Sequence, residues 1–290
     1  MNPTLVREDM RYWRLAPDAR LRSWIICYFV VEPGAASSEQ ALLIPDGHSE
    51  LVFRLDAGFE RWPIDEPGQR AAMRFSYLIG GRSHSVLTQC LGRTRLAGVK
   101  LDPRALRALI RTPLSEFRDG TLAFADLNSH ALLDLEDAVA TAPSAVDVGR
   151  VLDRFFLRAL CRIWLEDPMT DALVRQIQRR RGALSILEWV REHRIDPRTL
   201  ERRFCASMGM MPKQYARIIR FKHSYHRLMS GAQNGALGSH LEGFYDESHF
   251  NREFRRFMGL APSARSSGGA LRRMAVSDHL LDTELANNDE

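Results

Sequence analysis

The pattern of apolar and polar positions changes character twice along the chain. Between positions 21 and 99, apolar residues come in short runs broken by Gly, Pro and Asp. The run 24–31, rich in β-branched and aromatic residues and closed by Pro33 and Gly34, predicts a strand. Residues 42–55 read as two apolar runs around a turn at Pro45, Asp46 and Gly47. Further short strands are predicted at 74–79, 85–89 and 97–101, so this half should form a sandwich or barrel. After Pro103 the apolar spacing becomes helical. Helices are predicted at 104–110, 134–141 and 151–165, placed to cover the barrel or to form a dimer seam. Breaks fall at 142–147 and 166–168, the second marking the domain boundary, and from Asp171 to Pro262 the pattern is helical.

The helical region contains a stretch that occurs twice, fifty positions apart, from Asp196 to Pro212 and from Asp246 to Pro262, with six identical positions. Asp196 and Asp246 are helix caps by type, Gly209 and Gly259 are helix stops, and Pro212 and Pro262 prevent simple continuation. Leu200 with Phe204, and Phe250 with Phe254, place an apolar stripe on each predicted helix, while Arg202 and Arg252 point elsewhere. Residues 185–193, with Ile186, Trp189 and Val190 inward, supply a preceding helix, and a short turn through Arg194 and Ile195 joins it to the first copy. Two short helices joined by a tight turn, the second capped and basic, make a helix-turn-helix. Between the copies, 213–229 predicts one helix of ~25 Å, of the order of the ~34 Å between major grooves on one face of a duplex.

Charge strengthens this reading. The 290-residue chain carries +5 overall, but residues 171–273 hold 20 Lys and Arg against 9 Asp and Glu, a net +11, while 1–170 stand at −1 and 274–290 at −5. A basic helical domain beside a near-neutral one is the layout of a nucleic-acid reader with a regulatory partner domain. The outward face of the first copy offers Arg198, Glu201, Arg202 and Cys205; the second offers Ser248, Asn251, Arg252 and Arg255, with His249 at its edge. In a major groove arginine bonds guanine and glutamate accepts from cytosine. Arg198, Glu201, Arg202, Ser248, His249, Asn251 and Arg252 are therefore the expected base readers. Lys213, Arg217, Arg220 and Arg255, with Lys222, are expected at phosphates, where contacts position without specifying.

The fold class is α+β, with a β-rich N-terminal domain flanked by helices and an all-α C-terminal domain of two helix-turn-helix units joined by a long helix. The expected domains are 1–167 for sensing or dimerisation, 168–265 for DNA binding, and a loose tail at 266–290. At 45% hydrophobic and 27% charged residues the composition is that of a folded soluble protein. No secretory signal is visible, and the longest apolar stretch, 25–31, is too short to cross a bilayer, so a cytoplasmic location is expected. Cys27, Cys90, Cys161 and Cys205 are scattered, which argues against a disulfide framework and a structural zinc site.

The stretches Asp196-Pro-Arg-Thr-Leu-Glu-Arg-Arg-Phe204, Gly209-Met-Met-Pro-Lys-Gln-Tyr215 and Gly243-Phe-Tyr-Asp-Glu-Ser-His-Phe-Asn-Arg-Glu-Phe-Arg-Arg-Phe-Met-Gly259 resemble the two helix-turn-helix units of AraC/XylS-type transcription regulators, over about residues 171–265. The stretches 44–53 and 98–103 are similar to the cupin-like sensor domain of a subset of that family. The resemblance implies a sequence-specific regulator whose recognition helices enter successive major grooves, with a cupin-like barrel for effector sensing or dimerisation. Its expected partners are promoter DNA, RNA polymerase, a small organic effector and a second copy of the chain, with no membrane. Two departures stand out. Residues 235–242, where the family has the support helix of the second unit, contain Gly235 and Gly238, each costing about 1 kcal/mol relative to alanine in a helix interior. Arg194 occupies a turn position where glycine is common.

The rival class is a cupin-type small-molecule or metal-binding protein or enzyme whose helical domain mediates protein contacts. Asp46, His48 and Glu50 alternate as liganding from one strand face requires, with His84 as a further candidate. With no His-x-His pair, phosphate loop or nucleophile–base pairing, the expectation is no catalytic centre, metal or cofactor.

Overall fold

Two antiparallel sheets build the N-terminal half in the computed structural model, which describes residues 5–7, 10–33, 40–91, 94–117, 119–160, 167–229, 243–259 and 262. The strands are β1 (Leu5–Arg7), β2 (Met10–Leu15), β3 (Ile25–Pro33), β4 (Gln40–Leu43), β5 (Ser49–Arg54), β6 (Phe59–Pro63), β7 (Ala71–Met73), β8 (Tyr77–Ile79), β9 (Val86–Cys90), β10 (Leu96–Leu101) and β11 (Thr121–Ala123). One sheet has seven strands in the order β1-β2-β3-β10-β5-β8-β11, and the other has four, β4-β9-β6-β7. Alternation along the strands separates two environments. Leu51, Phe53, Leu78, Ala97 and Val99 pack outward from the larger sheet in one core cluster. Tyr12, Phe29, Val52, Tyr77 and Ile79 meet Phe59 and Met73 of the smaller sheet in another, between the sheets.

Helices α1 (Pro103–Ile110), α2 (His130–Ala140) and α3 (Ala145–Leu160) cover the larger sheet; Leu106, Leu135, Val148, Leu152 and Phe156 join its outer core. The outer face of the smaller sheet is covered differently. Leu42, Trp62 and Leu87 share one core with the C-terminal helices α4 (Pro168–Arg179), α5 (Ile186–Glu192), α6 (Pro197–Met208), α7 (Pro212–Met229) and α8 (Glu247–Met258). The layers thus run from helices to large sheet, interior, small sheet and helix-turn-helix domain. Arg104 of α1 adds a polar tie across the halves, donating to Asp171 of α4 at 2.7 Å.

The structure agrees with the α+β class and refines it. Among the described residues the two sheets remain separate rather than closing into one hydrogen-bonded barrel. The turn at Pro45, Asp46 and Gly47 is a corner between sheets, not a hairpin: β4 pairs with β9, whereas β5 pairs with β10 and β8. Strands β1, β2, β6, β7 and β11 were not expected; β2 interrupts its apolar residues with Arg11 and Arg14, which breaks the alternation, and pairs with β3 across a long connection. Helix α3 starts inside the expected break, because the Asp147 N–H donates to Ser144 Oγ at 3.2 Å, capping the first turn, and the Ser144 hydroxyl donates back to the Asp147 carboxylate at 2.6 Å. The expected helix end at 161–165, the support segment 235–242 and the tail 266–290 lie outside the described residues. No helix among those described is long and apolar enough to cross a membrane.

Candidate nucleic-acid interface

The repeat folds into two helices with the same beginning and the same end. Thr199 N–H donates to Asp196 Oδ2 at 2.7 Å and His249 N–H donates to Asp246 Oδ1 at 2.6 Å, so each aspartate satisfies an orphan amide of its first turn. The Thr199 amide holds the Asp196 carboxyl below the usual carboxylate range. Gly209 and Gly259 stop the helices in the left-handed region, at φ 71° and 69°, where a side chain would be strained. Leu200, Phe204 and Met208 are buried in α6, and Phe250, Phe254 and Met258 occupy the same positions in α8.

The opposite faces are open. Arg198, Glu201 and Arg202 are exposed on α6, and Ser248, Arg252 and Arg255 are exposed on α8. Asn251 and His249 are half-buried, and the His249 ring lies edge-on to Phe244, with centroids 5.3 Å apart. The adjacent Arg203 is turned to Asp167, at 3.0 Å. Lys213 is exposed at the start of α7. Sequence reasoning missed Tyr245, which stands 93% exposed directly before the α8 cap; an aromatic that the fold leaves so bare was the available signal.

Three basic residues expected at phosphates are placed differently. Arg217 donates twice to Glu253, at 2.6 and 2.8 Å, locking α7 to α8. Arg220 donates to the Gly243 carbonyl at 2.8 Å and lies over the Phe244 ring. Lys222 is buried, near Asp46 of the N-terminal half. Positive side chains on the mid-helix face of α7 are thus taken up inside the protein. That helix is the axis of the domain: Phe204 packs on Tyr215, and Phe254 and Phe257 pack on Phe221.

The turn of the first unit holds Arg194 at φ 53°, so an arginine adopts the left-handed conformation that glycine takes most cheaply. The four acidic and histidine residues weighed for a metal meet basic side chains or acids, His48 meeting Asp46 of the same set. Asp46 pairs with Lys100, Glu50 with Arg82, His48 donates its amide to Asp46 at 3.1 Å, and His84 lies 3.3 Å from Asp119. Burial raises the Asp46 carboxyl, but Lys100, His48 and Lys222 outweigh it and hold the carboxyl well below the usual range. Among the described residues no three His, Cys, Asp or Glu side chains form a metal-binding group.

A helix-turn-helix, α5–α6, and a second helix capped alike, α8, sit on a shared axial helix packed on a two-sheet domain, the layout of a DNA-binding module with an appended partner domain. Comparison with known families agrees. Residues 189–266 match a family described as a helix-turn-helix domain, of the AraC type, and residues 13–123 match a domain of unknown function, DUF6597. Residues 189–266 thus carry a helix-turn-helix domain of that family, the DNA-binding module of transcription regulators. None of the curated proteins matched the sequence. Among solved structures, ToxT from Vibrio cholerae O395 is similar at 11% identity, covering 93% of this chain and 100% of that one, with a TM-score of 0.44. A fatty-acid-bound ToxT from Vibrio cholerae strain SCE256 is similar at 13% identity, covering 90% and 96%, with a TM-score of 0.39. Ectoine synthase from P. lautus is similar at 12%, covering 41% and 79%, with a TM-score of 0.26.

Proposed function

We propose that the protein regulates transcription in the cytoplasm by placing α6 and α8 in successive major grooves of promoter DNA. The observation that carries this reading is the repeated pair of identically capped helices, each with an open arginine-bearing face, mounted on one 18-residue helix. That helix spans about 27 Å, enough to set two readers near one helical turn apart. Arg198, Glu201 and Arg202 read one half-site; Ser248, His249, Asn251 and Arg252 read the other. Lys213 and Arg255 hold phosphates, while Arg217 and Arg220 fix the second unit to the axis. Residues 1–167 serve as the sensing and dimerising domain, 168–265 as the DNA-binding domain and 266–290 as a tail. A small organic effector, a second copy of the chain and RNA polymerase complete the set of partners.

Gel shifts on the chain's own upstream region test this. Arg202→Ala and Arg252→Ala should each cost about 1–3 kcal/mol and relax specificity at one base, whereas Lys213→Ala should weaken all sequences alike and flatten the salt dependence. Unchanged binding in both arginine variants would remove these helices from the groove.

A further inference from the structure

Where α1 of the N-terminal half meets α6 and the start of α4, the packing leaves a cleft of about 260 Å³. Arg107, Asp167, Arg202, Arg203, Ala206 and Ser207 line it, so three guanidiniums and one carboxylate surround a single space, with Ala206 its one apolar side chain. Helical spacing brings them together. On α6, residues 202, 203, 206 and 207 recur at intervals of three and four, on the flank beside the buried Leu200, Phe204 and Met208. On α1, Arg107 follows the buried Leu106 and donates to Ser207 Oγ at 3.1 Å, across the boundary between the halves. Asp167 caps α4 through the Thr170 amide and meets Arg203 at 3.0 Å.

The lining does not balance its own charge. Asp167 is taken by Thr170 and Arg203, and three cations against one carboxylate leave the cleft at a net +2. Guanidiniums stay charged in proteins, and their forked donors match the oxygens of a phosphate. Ser207 is buried, and accepting the Arg107 bond leaves its O–H to donate. The space is polar, positive and smaller than the usual pocket for a drug-sized organic ligand, so it suits a compact oxyanion and not an apolar body.

We propose that the cleft between α1 and α6 binds a phosphate group, held by Arg107, Arg203 and the Ser207 hydroxyl, with the exposed Arg202 at its edge. Arg202 also belongs to the open face of α6, so the cleft borders the surface that enters the groove. Two sources present this chemistry: an operator backbone phosphate beside that groove, and a free phosphorylated solute. The first makes Arg107, a residue of the N-terminal half, a DNA contact outside residues 168–265. That source rests on reading α6 as a groove reader, whereas phosphate binding itself does not.

Two arms on the full chain test this. Without DNA, inorganic phosphate is titrated at constant ionic strength, with chloride as the control, and followed by calorimetry and thermal shift. Phosphate should bind saturably with a Kd of about 1 mM or tighter and raise Tm where chloride does not. Arg107→Gln should weaken that binding at least about tenfold and Arg107→Lys should weaken it less; Arg203→Gln, on the facing helix, should weaken it too. No saturable phosphate binding, an equal response to chloride, or undiminished binding in both glutamine variants would each overturn the proposal. With operator DNA in phosphate-free buffer, the salt dependence of affinity separates the sources. A backbone phosphate predicts that Arg107→Gln weakens operator and unrelated DNA by the same factor, lowers the log–log salt slope by about 0.9, and abolishes competition by inorganic phosphate. A free solute predicts unchanged affinity and slope in that variant. Phosphate binding by a chain that binds no operator would strike the regulator reading and leave the cleft standing.

Discussion

Helices α6 and α8 begin and end alike, yet different neighbours hold them. Helix α6 leans on α4, shares a core with the buried Trp189 and Val190 of α5, and leans on the N-terminal half. It lies against α1 and the turn at Leu114–Phe117, and Arg107 donates to Ser207 at 3.1 Å. Both helices lean on α7; α8 does so through the rings of Phe221 and Tyr225 and the Arg217–Glu253 pair, and it meets the N-terminal half at Ser85 and Ile64. The lesson is that the repeat encodes the reading helix and not its support. A duplicated cap, stop and stripe fixes how each helix forms, while the residues that orient it come from outside the repeat and differ between copies. Helix α6 therefore meets the N-terminal half over a broad packed contact, and α8 over a smaller one around Ser85 and Ile64.

The largest effects come from the stripe. Phe204→Ala and Phe254→Ala should each cost about 3–5 kcal/mol in chemical denaturation. By hydrogen exchange, Phe254→Ala should expose α8 while α6 keeps its protection; equal loss in both helices would erase the distinction. Next in size is Arg217→Met, which leaves Glu253 half-buried without its partner and should cost about 2 kcal/mol. Footprinting should then show the α8 half-site weakened and the α6 half-site intact. The same pair has a pH signature. Burial raises the Glu253 carboxyl, but the Arg217 hydrogen bonds and charge outweigh it and hold its pKa below the ordinary value. A depressed carboxyl stabilises the fold above its unfolded pKa and loses that contribution as pH falls through the folded one. Loss of α8 protection should therefore begin on the acid side of an ordinary glutamate titration, and in Arg217→Met this acid step should disappear. The smallest effect is Arg194→Gly, which relieves a left-handed arginine and should stabilise the first unit by about 1 kcal/mol or less in thermal unfolding.

What the sequence made legible was local. Asp196, Asp246, Gly209 and Gly259 act within one helical turn, so residue type and spacing were enough to place them. The open faces of α6 and α8 followed from the position of Leu200, Phe204, Phe250 and Phe254. Pairing at a distance was not legible. Residues 42–55 look like a hairpin because both runs are apolar, and only the partners β9 and β10, more than forty positions on, show that they belong to different sheets. Arg217 and Arg220 looked like phosphate contacts because a basic helical position carries no mark of whether an acid or a carbonyl from another element will meet it.

The central claim is that one chain reads two grooves with two helices, and base-resolved footprinting of Arg202→Ala and Arg252→Ala on the same operator tests it most directly. The account predicts that each variant relaxes contacts at a different half-site, the two centred about 10–10.5 base pairs apart. Relaxation of a single shared half-site by both variants, or of neither, would contradict it.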